Sequence, residues 1–186
     1  RDHCDGGKRF ELKDFTSDII GLKKFINGVQ AFGGGDAPED VAGALDKGLK
    51  MTWTASAKYA VLVTDAPCHG VKYHKGCGDS YPEGDPLGLD IEKLITEYGK
   101  KGINLFGVKI NDSTDLMFKI MSESYKLVTY KNIHVENLGM STTNFSFFIS
   151  FSASVTLGSC TYDKVKLADL IEGIKKESIV KSQIKN

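Results

Sequence analysis

Cysteine is scarce in this sequence: its 186 residues include four, at irregular spacings. Four such cysteines are too few for a disulfide scaffold, so we expect reduced thiols and a cytoplasmic protein, with secretion as the alternative. The sequence also lacks net charge, because 24 Lys and Arg balance 24 Asp and Glu, and this argues against a nucleic-acid partner. It lacks any apolar run long enough for a transmembrane segment. These absences leave an ordinary soluble domain, for which 41% hydrophobic residues supply a core.

The clearest strand signal lies in residues 57–70, Ala-Lys-Tyr-Ala-Val-Leu-Val-Thr-Asp-Ala-Pro-Cys-His-Gly. Residues 59–63 form an unbroken apolar run with β-branched side chains, which predicts a strand buried on both faces within a parallel sheet. Asp65 comes directly after this run, where the strand leaves the sheet. Because ligands bind at the carboxyl edge of open α/β sheets, Asp65 is a candidate site residue.

A glycine-rich loop precedes a predicted helix. Its sequence is Gly33-Gly-Gly-Asp36-Ala-Pro38-Glu39-Asp40, and the helix after it has apolar residues at spacings of four, Val41, Leu45, Leu49 and Trp53. The loop lacks the Gly-Lys-Ser/Thr of a phosphate-binding loop, and its three carboxylates would repel an anion, so they suit a cation better. A variant capping box from Asp36 to Glu39 explains the same residues equally well.

The remaining pattern alternates strands with helices. In chain order we predict an edge strand at 9–15, a helix from a cap at Thr16 or Ser17 to Val29, a helix over 90–101, a strand over 103–110, a helix over 113–125 capped by Ser113, and a strand region over 126–138. Apolar residues recur at helical spacing on one face of the first helix: Ile19, Leu22, Ile26 and Val29. Such alternation is typical of βαβ units, so the predicted class is α/β with a parallel sheet.

Several motifs together resemble a von Willebrand factor type A (vWA) domain. They are Gly33-Gly-Gly-Asp-Ala-Pro-Glu-Asp-Val, Val63-Thr-Asp65-Ala-Pro, Pro67-Cys-His-Gly and Tyr81-Pro-Glu-Gly-Asp-Pro. Within that family they are most similar to domains linked to alpha-type protein kinases. The resemblance covers roughly residues 1–157 and implies a Rossmann-like vWA fold, with a mainly parallel sheet and helices on both faces. It leaves 158–186 as a C-terminal amphipathic helical extension.

The resemblance and the periodicity disagree about the tail. Residues 145–157 alternate apolar residues with Ser and Thr, which predicts a strand. A vWA domain would instead have its closing helix at 144–156. We favour the helix, because tertiary context often overrides propensity in apolar runs. Residues 165–185 have the pattern of an amphipathic helix.

The resemblance also implies a metal-ion-dependent adhesion site for Mg²⁺ or Mn²⁺. By position, Glu39 would be the ligand from the second loop, Asp65 the ligand at the strand end, and Asp36 an ancillary residue. The Asp-x-Ser-x-Ser motif that supplies three further positions does not occur in these 186 residues. We therefore expect a truncated domain without the first strand and first helix, an incomplete site, and weak or absent Mg²⁺ binding.

The function implied is that of a non-catalytic, adhesion-type module that binds a protein ligand through an acidic side chain of that partner. It would target or regulate an alpha-kinase-like protein, with any kinase activity in a separate domain absent from this chain. One alternative is a metal-assisted hydrolase that uses Asp65 with the loop containing His69 and His74. The other is a degenerate domain with a structural role alone.

A histidine- and cysteine-containing loop follows the central strand. Cys68, His69, His74 and Cys77 could supply nitrogen and sulfur ligands to Zn²⁺. Adjacent Cys68 and His69 are awkward joint ligands, however. We expect instead that the histidines fix the long loop by hydrogen bonds.

Overall fold

A computed structural model describes residues 1–137, which form three strands and four α-helices. The strands are β1 (Lys58–Thr64), β2 (Ile103–Lys109) and β3 (His134–Asn137), and the helices are α1 (Ile19–Gly28), α2 (Val41–Leu49), α3 (Ile91–Lys100) and α4 (Asp115–Thr129). Short 3₁₀ segments span His3–Lys8, Val71–Tyr73 and Asp112–Thr114. The four helices are too short or too polar to span a bilayer. The predictions for residues 144–156, 165–185 and 158–186 lie outside the described residues.

The three strands form a sheet in the order β1-β2-β3, and both neighbouring pairs are parallel. In the register of these pairs, Phe106 of β2 lies opposite Val61 of β1 and His134 of β3. A helix separates each strand from the next, α3 between β1 and β2 and α4 between β2 and β3. The predicted α/β class, with a Rossmann-like parallel sheet, is therefore confirmed.

The core forms where β2 packs with α2, α3 and α4. Alternate residues of β2, Ile103 and Leu105, meet the apolar face of each helix. The helical members of this core are Val41, Leu45, Leu49, Ile91, Ile95, Tyr98, Met117, Phe118, Met121 and Tyr125. Two tyrosines also bond across it: the hydroxyl of Tyr98 donates to the carbonyl of Leu45 (3.0 Å), and that of Tyr125 donates to the carbonyl of Ile103 (2.9 Å). The three helices therefore each bury an apolar face in this core.

β1 forms where it was predicted, but it is not buried on both faces. Tyr59 and Val63 are 40% and 45% exposed. β1 is the edge strand of the described sheet. Ala60 and Leu62 pack on the core, whereas Tyr59 and Val63 point to the opposite face, which is only partly covered. The apolar run predicted the strand correctly, whereas burial on both faces requires neighbours that the sequence of the strand cannot specify.

Residues 9–15 form no strand in the described structure, contrary to the prediction. Side-chain contacts hold this segment instead. The carboxylate of Asp14 accepts hydrogen bonds from the main-chain N–H groups of Phe15 (2.8 Å) and Thr52 (3.1 Å), and the ring of Phe15 packs edge-on against Trp53 with centroids 4.8 Å apart. An alternating pattern becomes a strand only where a neighbour pairs with its main chain.

The first helix is present as predicted, and its apolar face is mostly exposed in the described structure. Ile19, Ile26 and Val29 are exposed, and no residue of α1 is buried. The spacing of the apolar residues follows from the helical period and therefore predicted the helix. That spacing does not say which surface covers the face.

The helix starts differ from the predicted caps by one to four residues. Asp18 caps α1 by accepting from the N–H of Gly21 (2.9 Å), in place of Thr16 or Ser17. Asp40 caps α2 by accepting from the N–H of Gly43 (2.7 Å), so the capping box from Asp36 to Glu39 is not formed. Asn111 rather than Ser113 caps the 3₁₀ turn that leads into α4. Several neighbouring Asp, Asn, Ser and Thr can each cap, and the backbone path selects one.

The last strand is shorter than predicted. α4 continues to Thr129, Tyr130 then adopts a left-handed conformation with φ of 59°, and β3 covers only His134–Asn137 of the predicted region 126–138. A β-branched end of the helix, Val128 and Thr129, explains why the sequence pattern favoured a strand there.

The core analysis predicts a large effect at Ile95 and a small one at Ile20. Ile95 is fully buried, whereas Ile20 is 84% exposed. We expect Ile95→Ala to lower the free energy of unfolding by about 2–5 kcal/mol, because it leaves a cavity, and Ile20→Ala to change it by less than about 0.5 kcal/mol. Urea denaturation followed by circular dichroism measures both. Equal effects for the two variants would contradict the described core.

Candidate functional site

Asp65 lies at the carboxyl edge of the sheet, immediately after β1. The residue is exposed, and its main-chain carbonyl accepts hydrogen bonds from Nδ2 of Asn111 (2.6 Å) and Oγ of Ser113 (3.0 Å). These bonds join the loop after β1 to the loop after β2. The carboxylate therefore stands where two neighbouring parallel strands end, as the sequence predicted.

Glu39 reaches the same edge from the loop before α2. Its main-chain N–H donates to the carbonyl of Pro67 (2.9 Å), and it forms a parallel bridge with Cys68, so this loop is held against the chain that follows β1. Glu39 and Asp65 both line a cavity of about 340 Å³. Two of the three predicted site residues thus share one concave surface.

Cationic groups from the N-terminal segment face the same cavity. Arg1 and Arg9 both line it. The main-chain nitrogen of Arg1 lies 2.8 Å from Oε2 of Glu39, which is a buried oxygen. The cavity therefore combines carboxylates with positive charge that partly offsets them.

Asp36 does not line this cavity. Its carboxylate accepts a hydrogen bond from the main-chain N–H of Ser80 and belongs to a cluster of potential metal ligands with His69 and Asp79. Asp36 is thus part of the contacts that hold the loop at 67–88.

His69 lies between two carboxylates. Its Nε2 is 2.7 Å from Oδ1 of Asp2, and its Nδ1 is 2.7 Å from Oδ1 of Asp79. Asp79 accepts further hydrogen bonds from the main-chain N–H groups of Gly70 and Tyr81, each at 2.8 Å. Since an ionised carboxylate can only accept, both nitrogens of His69 must carry protons, and the ring is a buried imidazolium.

The pKa values shift in the directions that this arrangement requires. Burial alone would raise the pKa of Asp79, but its hydrogen bonds from His74, His69 and the two amides outweigh burial and hold that pKa well below its usual range. The pKa of Asp2 is lowered as well, because its bonds to His69 and to the main chain of His3 likewise outweigh burial. Burial alone would lower the pKa of His69, yet its bonds to the two carboxylates raise it.

His74 completes the same network, since its Nε2 lies 2.9 Å from Oδ2 of Asp79. The expectation that the histidines fix the loop by hydrogen bonds is therefore confirmed. Cys68 is buried, with its N–H directed at the sulfur of Met117, and burial raises the pKa of its thiol. Among residues 1–137, the clusters able to hold a metal contain no cysteine, so the four-residue zinc set is not assembled there.

Sequence reasoning did not find Asp2, His3, Asp79 and Asp85. Asp2 and His69 are 67 positions apart, and no periodicity or spacing connects them. The signal available for Asp79 and Asp85 was the unusual length and polarity of the loop at 67–88, which indicated a function without indicating the partners.

The network predicts how stability depends on pH. Because the pKa of His69 is raised in the folded chain, this residue contributes its full stabilisation below about pH 6.5, the pKa of histidine in an unfolded chain. The stabilisation is lost as the pH rises through the pKa of His69 in the folded chain. Because the pKa of Asp79 is lowered in the folded chain, this residue contributes its full stabilisation above about pH 4. That stabilisation is lost on acidification. We therefore expect the largest contribution between about pH 4 and 6.5.

Urea denaturation at fixed pH values from 4 to 9 measures this dependence. The wild-type chain should lose about 1.4 kcal/mol for each unit by which the pKa of His69 is raised, and His69→Gln should lack this alkaline loss. His134→Gln, at an exposed histidine, is the matched control and should keep it. An identical alkaline slope in wild type and His69→Gln would refute the imidazolium assignment.

The fold and the site together define an α/β protein with a parallel sheet and carboxylates gathered at the carboxyl edge of its strands. Neither a protein-family model nor a solved structure matches the chain. The chain is similar to the alpha-protein kinase vwkA of Dictyostelium discoideum, with 30% identity over 164 residues. The match covers 86% of this chain and 26% of that protein, so the chain spans about a quarter of the length of this relative.

This similarity confirms one part of the expected resemblance, namely a relation to an alpha-kinase protein. The vWA assignment, the incomplete adhesion site and the weak or absent Mg²⁺ binding remain predictions.

Proposed function

We propose that this chain is a non-catalytic protein-binding module of the vWA type that targets or regulates an alpha-kinase-like protein. The observation that carries the proposal is the shared cavity of Glu39 and Asp65 at the carboxyl edge of β1. Two separate loops supply these carboxylates, which is the arrangement expected of a strand-end cation site. The similarity to an alpha-protein kinase supports the association with that class of enzyme.

The chemistry of the cavity suits Mg²⁺ or Mn²⁺, which bind hard oxygens and retain several waters. Asp65 is exposed and Glu39 lines the same cavity, so both carboxylates can offer oxygen ligands to a cation there. Asp36 would be ancillary, since it faces the loop at 67–88. When bound, the cation would have an open coordination position that a carboxylate of a partner protein could occupy.

The same cavity predicts weak Mg²⁺ binding by the 186-residue chain itself. Two carboxylates are a partial ligand set, and the main-chain nitrogen of Arg1 lies beside one of them. Isothermal titration calorimetry with Mg²⁺ should therefore show weak heats or none. A tight stoichiometric site that Asp65→Ala abolishes would contradict this expectation.

A longer chain that adds an Asp-x-Ser-x-Ser segment ahead of Arg1 should bind Mn²⁺ tightly, because one carboxylate and two hydroxyls would complete the ligand set. Electron paramagnetic resonance measures free Mn²⁺, and acetate serves as a minimal carboxylate probe for the open vertex. Asp65→Ala should abolish binding, and Glu39→Gln should weaken it because a ligand charge is lost.

The matched control is Glu11→Gln, since Glu11 lines the same cavity but pairs with the guanidinium of Arg1. It should leave Mn²⁺ affinity unchanged. If Mn²⁺ and acetate bind equally well to the wild type, Asp65→Ala and Glu39→Gln, the adhesion-site proposal fails and a structural role is left.

The hydrolase alternative has less support. His69 is held by carboxylates at both ring nitrogens, which leaves it no lone pair to act as a base. It also lines a cavity of about 230 Å³ that does not include Asp65. No observation brings this histidine and Asp65 to one reacting centre.

A further inference from the structure

A second group of potential ligands lies beside the 230 Å³ cavity. Nε2 of His3 is 3.0 Å from Oδ2 of Asp85 and 3.6 Å from Oδ1 of Asp40. One ligand atom from each of these three residues lies within 4.8 Å of the others. Their side chains are 6%, 4% and 0% exposed, respectively, which distinguishes them from ordinary acidic groups at a surface.

These spacings fit a single small ion. A tetrahedral Zn²⁺ with ligands at about 2.0–2.1 Å separates those ligands by roughly 3.3 Å. The measured separations of 3.0 and 3.6 Å lie on either side of this value. An ion can therefore enter between the imidazole and the carboxylates with small adjustments of the side chains.

Both carboxylates are already oriented by other groups. Oδ1 of Asp85 accepts from the main-chain N–H groups of Leu87 (2.9 Å) and Leu89 (3.0 Å), which directs Oδ2 towards His3. Oδ1 of Asp40 accepts from the N–H of Gly43 (2.7 Å). Outer hydrogen bonds of this kind fix ligand geometry and strengthen metal sites.

The charge balance also favours a cation. Two buried carboxylates face a single imidazole nitrogen, and that nitrogen can donate at most one proton between them. Arg9 offsets part of the charge, since its Nε lies 2.9 Å from Oδ2 of Asp40. The other carboxylate relies on His3, so a dication would neutralise charge that burial makes costly.

We propose that His3, Asp40 and Asp85 bind Zn²⁺, with a water molecule from the 230 Å³ cavity as the fourth ligand. One imidazole and two carboxylates suit Zn²⁺ better than Mg²⁺, which prefers oxygen alone. Asp40 and Asp85 both line that cavity, which leaves the fourth position accessible. This site is separate from the Glu39 and Asp65 site of the proposed function.

Metal analysis of the full 186-residue chain tests the proposal. After chelator treatment and dialysis against Zn²⁺, we expect one zinc ion per chain. His3→Gln and Asp85→Asn should each lower zinc affinity by more than the roughly 10- to 100-fold typical of outer hydrogen-bond partners. Glu83→Gln is the matched control, because Glu83 lines the same cavity but is exposed and lies outside the cluster.

Asp65→Ala separates this site from the proposed adhesion site, since it should leave zinc affinity unchanged. X-ray absorption of the zinc-loaded wild type should show one imidazole and oxygen ligands at about 2.0–2.2 Å, with no sulfur. Because this measurement uses the wild-type chain, it tests the zinc proposal even if a variant fails to fold. A wild-type chain without stoichiometric zinc, sulfur ligation, or unchanged affinity in folded His3→Gln and Asp85→Asn would each overturn the proposal.

Discussion

The placement of His69 between Asp2 and Asp79 is the contact on which the candidate sites depend. It joins the first residues of the chain to the loop at 67–88, and the side chains of all three residues are almost fully buried. Because the imidazolium donates at both nitrogens, it fixes two carboxylates that would otherwise repel each other in a dry environment. The neighbouring residue His3 is thereby brought beside Asp40 and Asp85, and Arg9, in the same segment, lines the larger cavity.

The loop before α2 serves both cavities through adjacent residues. Glu39 and Asp40 line each of them, and Asp40 also caps α2. Arg9 lies at the junction, because it lines the larger cavity while its Nε pairs with Asp40. The two cavities therefore adjoin at Glu39 and Asp40, whereas Asp65 lines only the larger one.

The sequence correctly predicted the helices and strands that their own periodic pattern of apolar residues is sufficient to define. β2 is mostly apolar and mostly buried, and the apolar faces of α2, α3 and α4 follow the helical period. The prediction failed where a second segment decides the outcome. Tyr59 is exposed because the described structure covers its face of the edge strand only in part. Asp2 pairs with His69 because the fold brings these distant residues together. The candidate site divides in the same way: motifs indicated Glu39 and Asp65, whereas no local pattern indicated His3 or Asp85.

The N-terminal segment acts as an internal set of counter-ions. Arg1 and Arg9 line the cavity that Glu39 and Asp65 share, Arg9 pairs with Asp40, and His3 faces Asp85. Each candidate carboxylate in contact with this segment is thus already partly neutralised, and an incoming metal must compete with a group of the chain. His3 differs from Arg9, because an imidazole can lose its proton and become a ligand, whereas a guanidinium cannot. The same segment therefore opposes a cation at Glu39 and Asp65 and supplies a ligand for one at Asp40 and Asp85.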